Sequence, residues 1–315
     1  MNLRQRILRL VVAVLLGSTS LSIHAAGADT PALHVVATTG MLADAIREVG
    51  GNRVKVAALM GPGVDPHLYR QTHSDVTRLA RADLVVYHGL NLEAQLVPLL
   101  ADLARTKPVV ALAETIPREA LLADEENPTL FDPHVWMNPA LWQHVVKAAR
   151  DALISVDPKG KNHYEQQAIR YNQAINAMQK RTQAILHTVP SDKRVLITAH
   201  DAFQYFAQAY GYEVLAAQGI STESEASLHQ IGHLVQTIVQ RKISAIFVES
   251  SVPDQSIRAL VEGAAAQGQR VVIGGELYSD ALGPEGTPEG TYLGMIEHNA
   301  LTIAKGLSGT SVSSP

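Results

Sequence analysis

The chain has 315 residues, a formal net charge of −4 and no cysteine. That length suits two domains with ordinary cores. The weak negative charge without a basic stripe excludes a nucleic-acid partner. The missing thiols exclude disulfides, thiolate metal ligands, a cysteine nucleophile and a lipid-modified N-terminal cysteine.

The first segment reads as an export signal. Arg4, Arg6 and Arg9 precede an apolar run at 10–16, small residues follow at 17–20, and cleavage sites lie after Ala25 or Ala28. The run is too short to span a bilayer. A signal peptide is therefore expected at 1–25, with the mature chain exported to a Gram-negative periplasm and not lipid-anchored.

Beyond it, runs rich in Val, Ile and Leu predict strands at 34–39, 54–60, 84–88, 109–113, 194–198, 213–217, 245–249 and 270–274. They lack strict alternation, as parallel strands covered on both faces do. Amphipathic stretches predict helices at 42–49, 75–81, 92–104, 139–155, 202–210, 225–240, 255–267 and 290–306. Alternating β and α elements imply parallel sheets with right-handed crossovers. The two halves are separated by 158–189, which has no strand signal. There Tyr164, Ala168, Tyr171, Ile175, Met178, Thr182 and Ile185 recur at spacings of three and four. That is one apolar stripe on a helix of about 27 residues, a rod near 40 Å long. The expected fold class is α/β, with two lobes, each a four-stranded parallel sheet flanked by helices, joined by one long rigid helix. The expected boundaries are 30–157 for the first metal-binding lobe, 158–189 for the linking helix and 190–310 for the second lobe.

Four short segments carry the chemistry: DPHLYR at 65–70, DPHVWMNP at 132–139, TAHDAF at 198–203 and YSD at 278–280. Each offers a nitrogen or carboxylate ligand and each falls beyond a predicted strand. In open α/β sheets, ligands bind in the crevice outside the carboxyl ends of the strands. His67, His134, His200 and Asp280 therefore lie at the edge where two facing lobes would each contribute two ligands. Three imidazoles and a carboxylate suit Zn²⁺, Mn²⁺ or Fe²⁺. In the repeated Asp-Pro-His, proline stiffens the loop. Asp65 and Asp132 are candidate acceptors that fix the imidazole tautomer. Glu249, at the end of a predicted strand, points to the same crevice as an outer partner of a ligand or a polar contact between lobes. His229 and His233 have the i, i+4 spacing of a zinc protease, but Gln230 stands where the general-base glutamate is needed, so they read as solvated or packing residues. His73, His88, His144, His163, His187 and His298 read as structural. There is no nucleophile elbow, phosphate loop or dinucleotide fingerprint.

On GVDPHLYR, ADLVVYHGLNLE, DPHVWMNP, TAHDAFQYFAQAYG, QGISTESEAS, AIFVESS and GGELYSDALG, the chain resembles the zinc/manganese-binding receptors of bacterial ABC importers, the TroA-like class with a helical backbone. The likeness runs from about His34 to Leu307. It implies two four-stranded lobes on one long helix, with His67, His134, His200 and Asp280 as metal ligands. It also implies a monomer that carries one Zn²⁺ or Mn²⁺, with Fe²⁺ as a further candidate, to the membrane permease and ATPase of an ABC importer. The short acidic stretch 119–132 lacks the histidine-rich loop of zinc-dedicated members, and His200 replaces the glutamate of manganese-dedicated ones. The chain thus resembles the intermediate subgroup with three histidines and one aspartate. The competing expectations are an exported metalloenzyme, which needs an open coordination position and a general base, and an adhesin with a structural metal.

Overall fold

The computed structural model describes residues 32–124 and 127–308. The expected export signal lies outside those residues. Four strands form the first sheet: β1 (Leu33–Ala37), β2 (Val54–Ala58), β3 (Leu84–Tyr87) and β4 (Val109–Ala111). They are all parallel, in the order β2-β1-β3-β4. The second half has β5 (Val195–Thr198), β6 (Glu213–Ala216), β7 (Ala245–Glu249) and β8 (Val272–Leu277). Its hydrogen-bonded ladders are β5–β6 and β7–β8, both parallel, with β5 running beside β7. The spatial order β6-β5-β7-β8 thus repeats that of the first sheet. One refinement concerns the expected four-stranded second sheet, whose strands pair in twos. A register shift between Ile246 and Val248, opposite Gly274 and Gly275, adds a bulge to its outer pair.

Helices α1 (Gly40–Gly50), α2 (His73–Arg81), α3 (Val97–Leu103) and α4 (Pro139–Val156) belong to the first half, and α5 (Lys161–Leu186) follows. Helices α6 (Gln204–Tyr210), α7 (Leu228–Arg241), α8 (Gln255–Ala266) and α9 (Tyr292–Leu307) complete the second. Local chemistry sets their ends. Thr72 and Asp75 form a capping box on α2, Asn138 caps α4 ahead of Pro139, and Gly211 ends α6 in a left-handed conformation. Two helices start three or more residues later than predicted. The stretch 92–104 breaks into a 3₁₀ turn at Ala94–Leu96 before α3, whose second residue is Pro98. Helix α7 begins only at Leu228, where Ser227 is in extended backbone and its hydroxyl accepts from the Gln230 amide. Among the described residues no helix is long and apolar enough to cross a membrane.

The long helix buries Tyr164, Ala168, Tyr171, Ile175, Met178, Thr182 and Leu186, so the predicted stripe faces inward, with Leu186 taking the place expected for Ile185. At about 1.5 Å per residue its 26 residues span close to 39 Å. It packs against α1 and α4 from the first half and against α9 from the second. Asp44 on α1 accepts hydrogen bonds from the Tyr171 hydroxyl (2.6 Å) and the Tyr292 amide (3.2 Å), tying three helices at one carboxylate. The first turn is anchored by Asp157, which accepts from Arg53 Nε and the Tyr164 hydroxyl, each at 2.8 Å. Three apolar clusters result. One lies under α2 and α3, a second under α7 and α8, and the largest runs without interruption from β1 and α1 through α5 to α9. Each sheet is thereby covered on both faces, as buried parallel strands require.

Candidate metal centre

Four strands deliver one side chain each to a common point. His67 sits in the loop after β2, His134 in the loop after β4, just before a 3₁₀ turn at Val135–Met137, His200 two residues after β5 and Asp280 three residues after β8. The four candidate ligand atoms lie within 4.8 Å of one another, and all four residues are buried. His67 Nε2 is 3.3 Å from His134 Nε2 and 3.8 Å from Asp280 Oδ2. Asp280 Oδ1 is 3.5 Å from His134 Nε2, and its Oδ2 is 3.1 Å from His200 Nε2. Separations of 3.1–3.8 Å between these nitrogens and oxygens are close to the roughly 3.3–3.6 Å that two zinc bonds of about 2.0–2.2 Å subtend at a tetrahedral angle. Both Asp280 oxygens and His200 Nε2 are buried without a hydrogen-bond partner. Buried polar atoms are ordinarily satisfied, and a cation would satisfy these. The residues present therefore fit a divalent ion.

Electrostatics prepare the same point. Burial holds the His67 imidazole down at about 3, against the pull of Asp280, so it offers a neutral lone pair. Burial also disfavours charge on His200, but Glu249 and Asp280 outweigh it and raise that imidazole well above its usual value. Burial opposes the negative charge on Asp280, yet His200, His134 and His67 hold its carboxyl well below the usual carboxylate range.

Outer contacts fix the ligands. Asp132 Oδ1 accepts from the His134 amide (2.9 Å) and faces His134 Nδ1 at 2.7 Å, as expected of a tautomer-setting carboxylate. Asp65 behaves otherwise. Its Oδ1 accepts from the His67 amide (2.8 Å) while its Oδ2 accepts from the Thr222 hydroxyl, so it shapes the loop and contacts the other half of the chain. Glu249 Oε2 lies 2.6 Å from His200 Nδ1, and its Oε1 accepts from the amides of Ala199 (2.8 Å) and His200 (3.0 Å). Of its two expected roles, it therefore takes the outer partner of a ligand. His229 and His233 are exposed on α7, away from the cluster.

Several supporting residues escape sequence reasoning. His88, expected to be merely structural, is fully buried at the end of β3 and donates from Nε2 to the Pro133 carbonyl (2.7 Å), bracing the loop that carries His134. Glu93 turns back to accept from the amides of His88 (2.7 Å) and Gly89 (3.2 Å) and from the Thr38 hydroxyl (2.5 Å). That return follows three successive left-handed residues, Gly89, Leu90 and Asn91. Trp136 donates from its indole to the Ser279 carbonyl (2.8 Å), joining the His134 loop directly to the Asp280 loop. The sequence signal for His88 is its place at a strand's carboxyl end. Trp136 carries none beyond its nearness to His134.

Residues 35–306 match the family model described as "Zinc-uptake complex component A periplasmic". The chain belongs to this family. Its relatives include the zinc-binding protein TroA of Treponema pallidum (strain Nichols), 44% identical over 310 residues, which covers 97% of this chain and 99% of that protein. The manganese-binding lipoprotein MntA of Bacillus subtilis (strain 168) is 44% identical over 275 residues, covering 87% and 90%. Among solved structures, the periplasmic zinc-binding protein TroA from Treponema pallidum superposes with a TM-score of 0.85 at 45% identity, over 88% of this chain and 99% of that one.

Proposed function

We propose that this protein is the metal-capture component of an ABC importer, taking up a divalent transition ion and passing it to a membrane permease and its ATPase. It is a receptor and not an enzyme. One observation carries the reading: four ligand atoms from four strand ends meet within 4.8 Å in a buried cluster that leaves both Asp280 oxygens without a hydrogen-bond partner. His67, His134, His200 and Asp280 would hold the ion as cargo, one per chain. Zn²⁺ and Mn²⁺ are the primary candidates, since the relatives' names record zinc for TroA and manganese for MntA. Fe²⁺ is chemically compatible with the same donors. The division into lobes at 30–157 and 190–310, joined by a helix at 158–189, is part of this proposal, as are a monomeric state and a periplasmic location. The test is a titration of metal-stripped protein with Zn²⁺ and Mn²⁺, alongside metal analysis of untagged protein taken from its native compartment. One tightly bound ion per chain is expected. A chain that takes up neither metal would overturn the proposal.

A further inference from the structure

Residues 218–227 lie between β6 and α7 and bond the loops that carry His200 and His67. Their root is fixed beside His200: the Gln218 amide donates to the Ala199 carbonyl (2.9 Å) and the Asp201 amide to the Gly219 carbonyl (3.2 Å). Their tip is fixed beside His67. The Thr222 hydroxyl donates to Asp65 Oδ2 at 2.5 Å, and Asp65 Oδ1 holds the His67 amide. A second and exposed contact, Gln95 Nε2 to Glu223 Oε1 at 2.8 Å, lies further out. Ser221, Glu223, Ser224 and Glu225 are all exposed, whereas Thr222 is only 9% exposed. Thr222 is the one buried residue of the segment, with Gln218, Ile220 and Ala226 half-buried, and its hydroxyl bonds a carboxylate 157 positions away in the first half of the chain.

We propose that residues 218–227 form a strap that latches the metal site shut, with the Thr222 hydroxyl on Asp65 as its latch. The proposal rests on the metal-capture reading above. The remaining ties between the halves near the site are deep. Trp136 to Ser279, Tyr292 to Trp136 and Tyr205 to Asp132 all involve buried side chains, and breaking them would open the shared core. The tip of the strap lies at the surface, and releasing it while the root stays bonded costs one charge-assisted hydrogen bond and one exposed contact. Surface elements with few buried contacts are those that open locally. His67, at 3% exposure, is the least buried of the four candidate ligands, and its amide is held by the same Asp65 carboxylate that the Thr222 hydroxyl bonds. Thr222 is therefore a positioning and gating residue: it acts on the ion through Asp65 and touches no metal.

The geometry gives a kinetic signature. The latch is made by protein groups alone, so it opposes entry and exit alike. Removing it should raise both rates together and leave their ratio, the affinity, nearly unchanged. A hydrogen bond to a charged acceptor of this kind corresponds to about a tenfold change in rate at the lower end of its usual range, as suits a partly solvated site. The experiment uses stopped flow on the mature protein with Zn²⁺. Association is followed by Trp136 fluorescence, since its ring lies 5.2 Å from His134, and release by excess chelator. T222V removes the hydroxyl at constant volume, T222A removes it with less bulk, and T222S restores it. T222V and T222A should accelerate both association and release about tenfold with the affinity within threefold of wild type, and T222S should behave as wild type. Rates unchanged in T222V and T222A would overturn the latch. So would a faster release with unchanged association, which would mean that Thr222 only steadies His67. A T222S that matches T222V would overturn it too. Wild-type protein that fails to bind Zn²⁺ would instead refute the capture reading on which the latch depends.

Discussion

Glu249→Gln separates the charge of the outer carboxylate from its shape. Glu249 is buried at the end of β7, and its two oxygens do different things. Oε1 accepts from the Ala199 and His200 amides, which the carbonyl of glutamine can continue to do. Oε2 faces His200 Nδ1 at 2.6 Å, and there glutamine would place an NH₂ group against an imidazole nitrogen that must carry its own proton once Nε2 holds a metal. Two donors then face each other in a buried site. Loss of such an outer carboxylate costs 10- to 100-fold in metal affinity, about 1.4–2.8 kcal/mol. The buried donor clash places E249Q in the upper half of that range. Competition against a zinc chelator of known strength measures it, with the thermal midpoint of the metal-free variant as a check on folding. A folded E249Q that keeps Zn²⁺ affinity within threefold of wild type would refute the carboxylate–histidine–metal relay.

H67A and H134A should each weaken zinc at least tenfold by calorimetric titration, because each removes a direct ligand, whereas H229A on the exposed face of α7 should be silent. At the foot of α5, burial opposes charge on Asp157, but Arg53 and Tyr164 outweigh it and hold its carboxyl below the usual range. A depressed carboxylate contributes stability above its unfolded value of 3.8 and loses it as pH falls through the lower folded value. D157N should therefore cost about 2 kcal/mol at pH 7, with the gap to wild type closing below pH 4 in denaturant titrations at stepped pH. Metal-free and metal-bound forms should share a radius of gyration to within about 1 Å by small-angle scattering, since α5 has neither proline nor glycine in its 26 residues and packs on both halves. A clear contraction on binding would show that the rod bends.

The strand ends were the most readable part of this chain, because an apolar run followed by Asp-Pro-His or Ala-His-Asp marks both the strand and the crevice beyond it. Three of the four clustered residues, His67, His134 and His200, follow from that rule, and Asp280 from its place beyond the last strand. What escaped were contacts that depend on which neighbour fills the space beside a residue. The two Asp-Pro-His tripeptides are identical, yet Asp132 turns to the imidazole of His134 and Asp65 turns away to Thr222. No local pattern separates them. The difference lies in the strap, which comes from 157 residues further along. The start of α7 also came three residues late, because Ser227 takes the cap position and accepts from the Gln230 amide. Likewise His88 and Trp136 look like ordinary core residues until the loops they brace are seen to carry His134 and Asp280.

The division of the core bears on how an ion gets in and out. Two clusters are private to one half each, and the largest is shared through α5 and α9. A wide hinge would separate α9 and α5 from α1 and α4 and leave the Asp44 carboxylate without Tyr171 or Tyr292. A buried charge stripped of two donors is costly, and so is the apolar surface exposed with it. Motion is then cheapest where the shared core is absent, at the loop carrying His67 and at the tip of residues 218–227 that bonds it. Capture by this protein should accordingly be governed by a local opening at one edge of a nearly fixed frame. Its rates would be set by surface hydrogen bonds, and its affinity by the buried carboxylates behind the imidazoles.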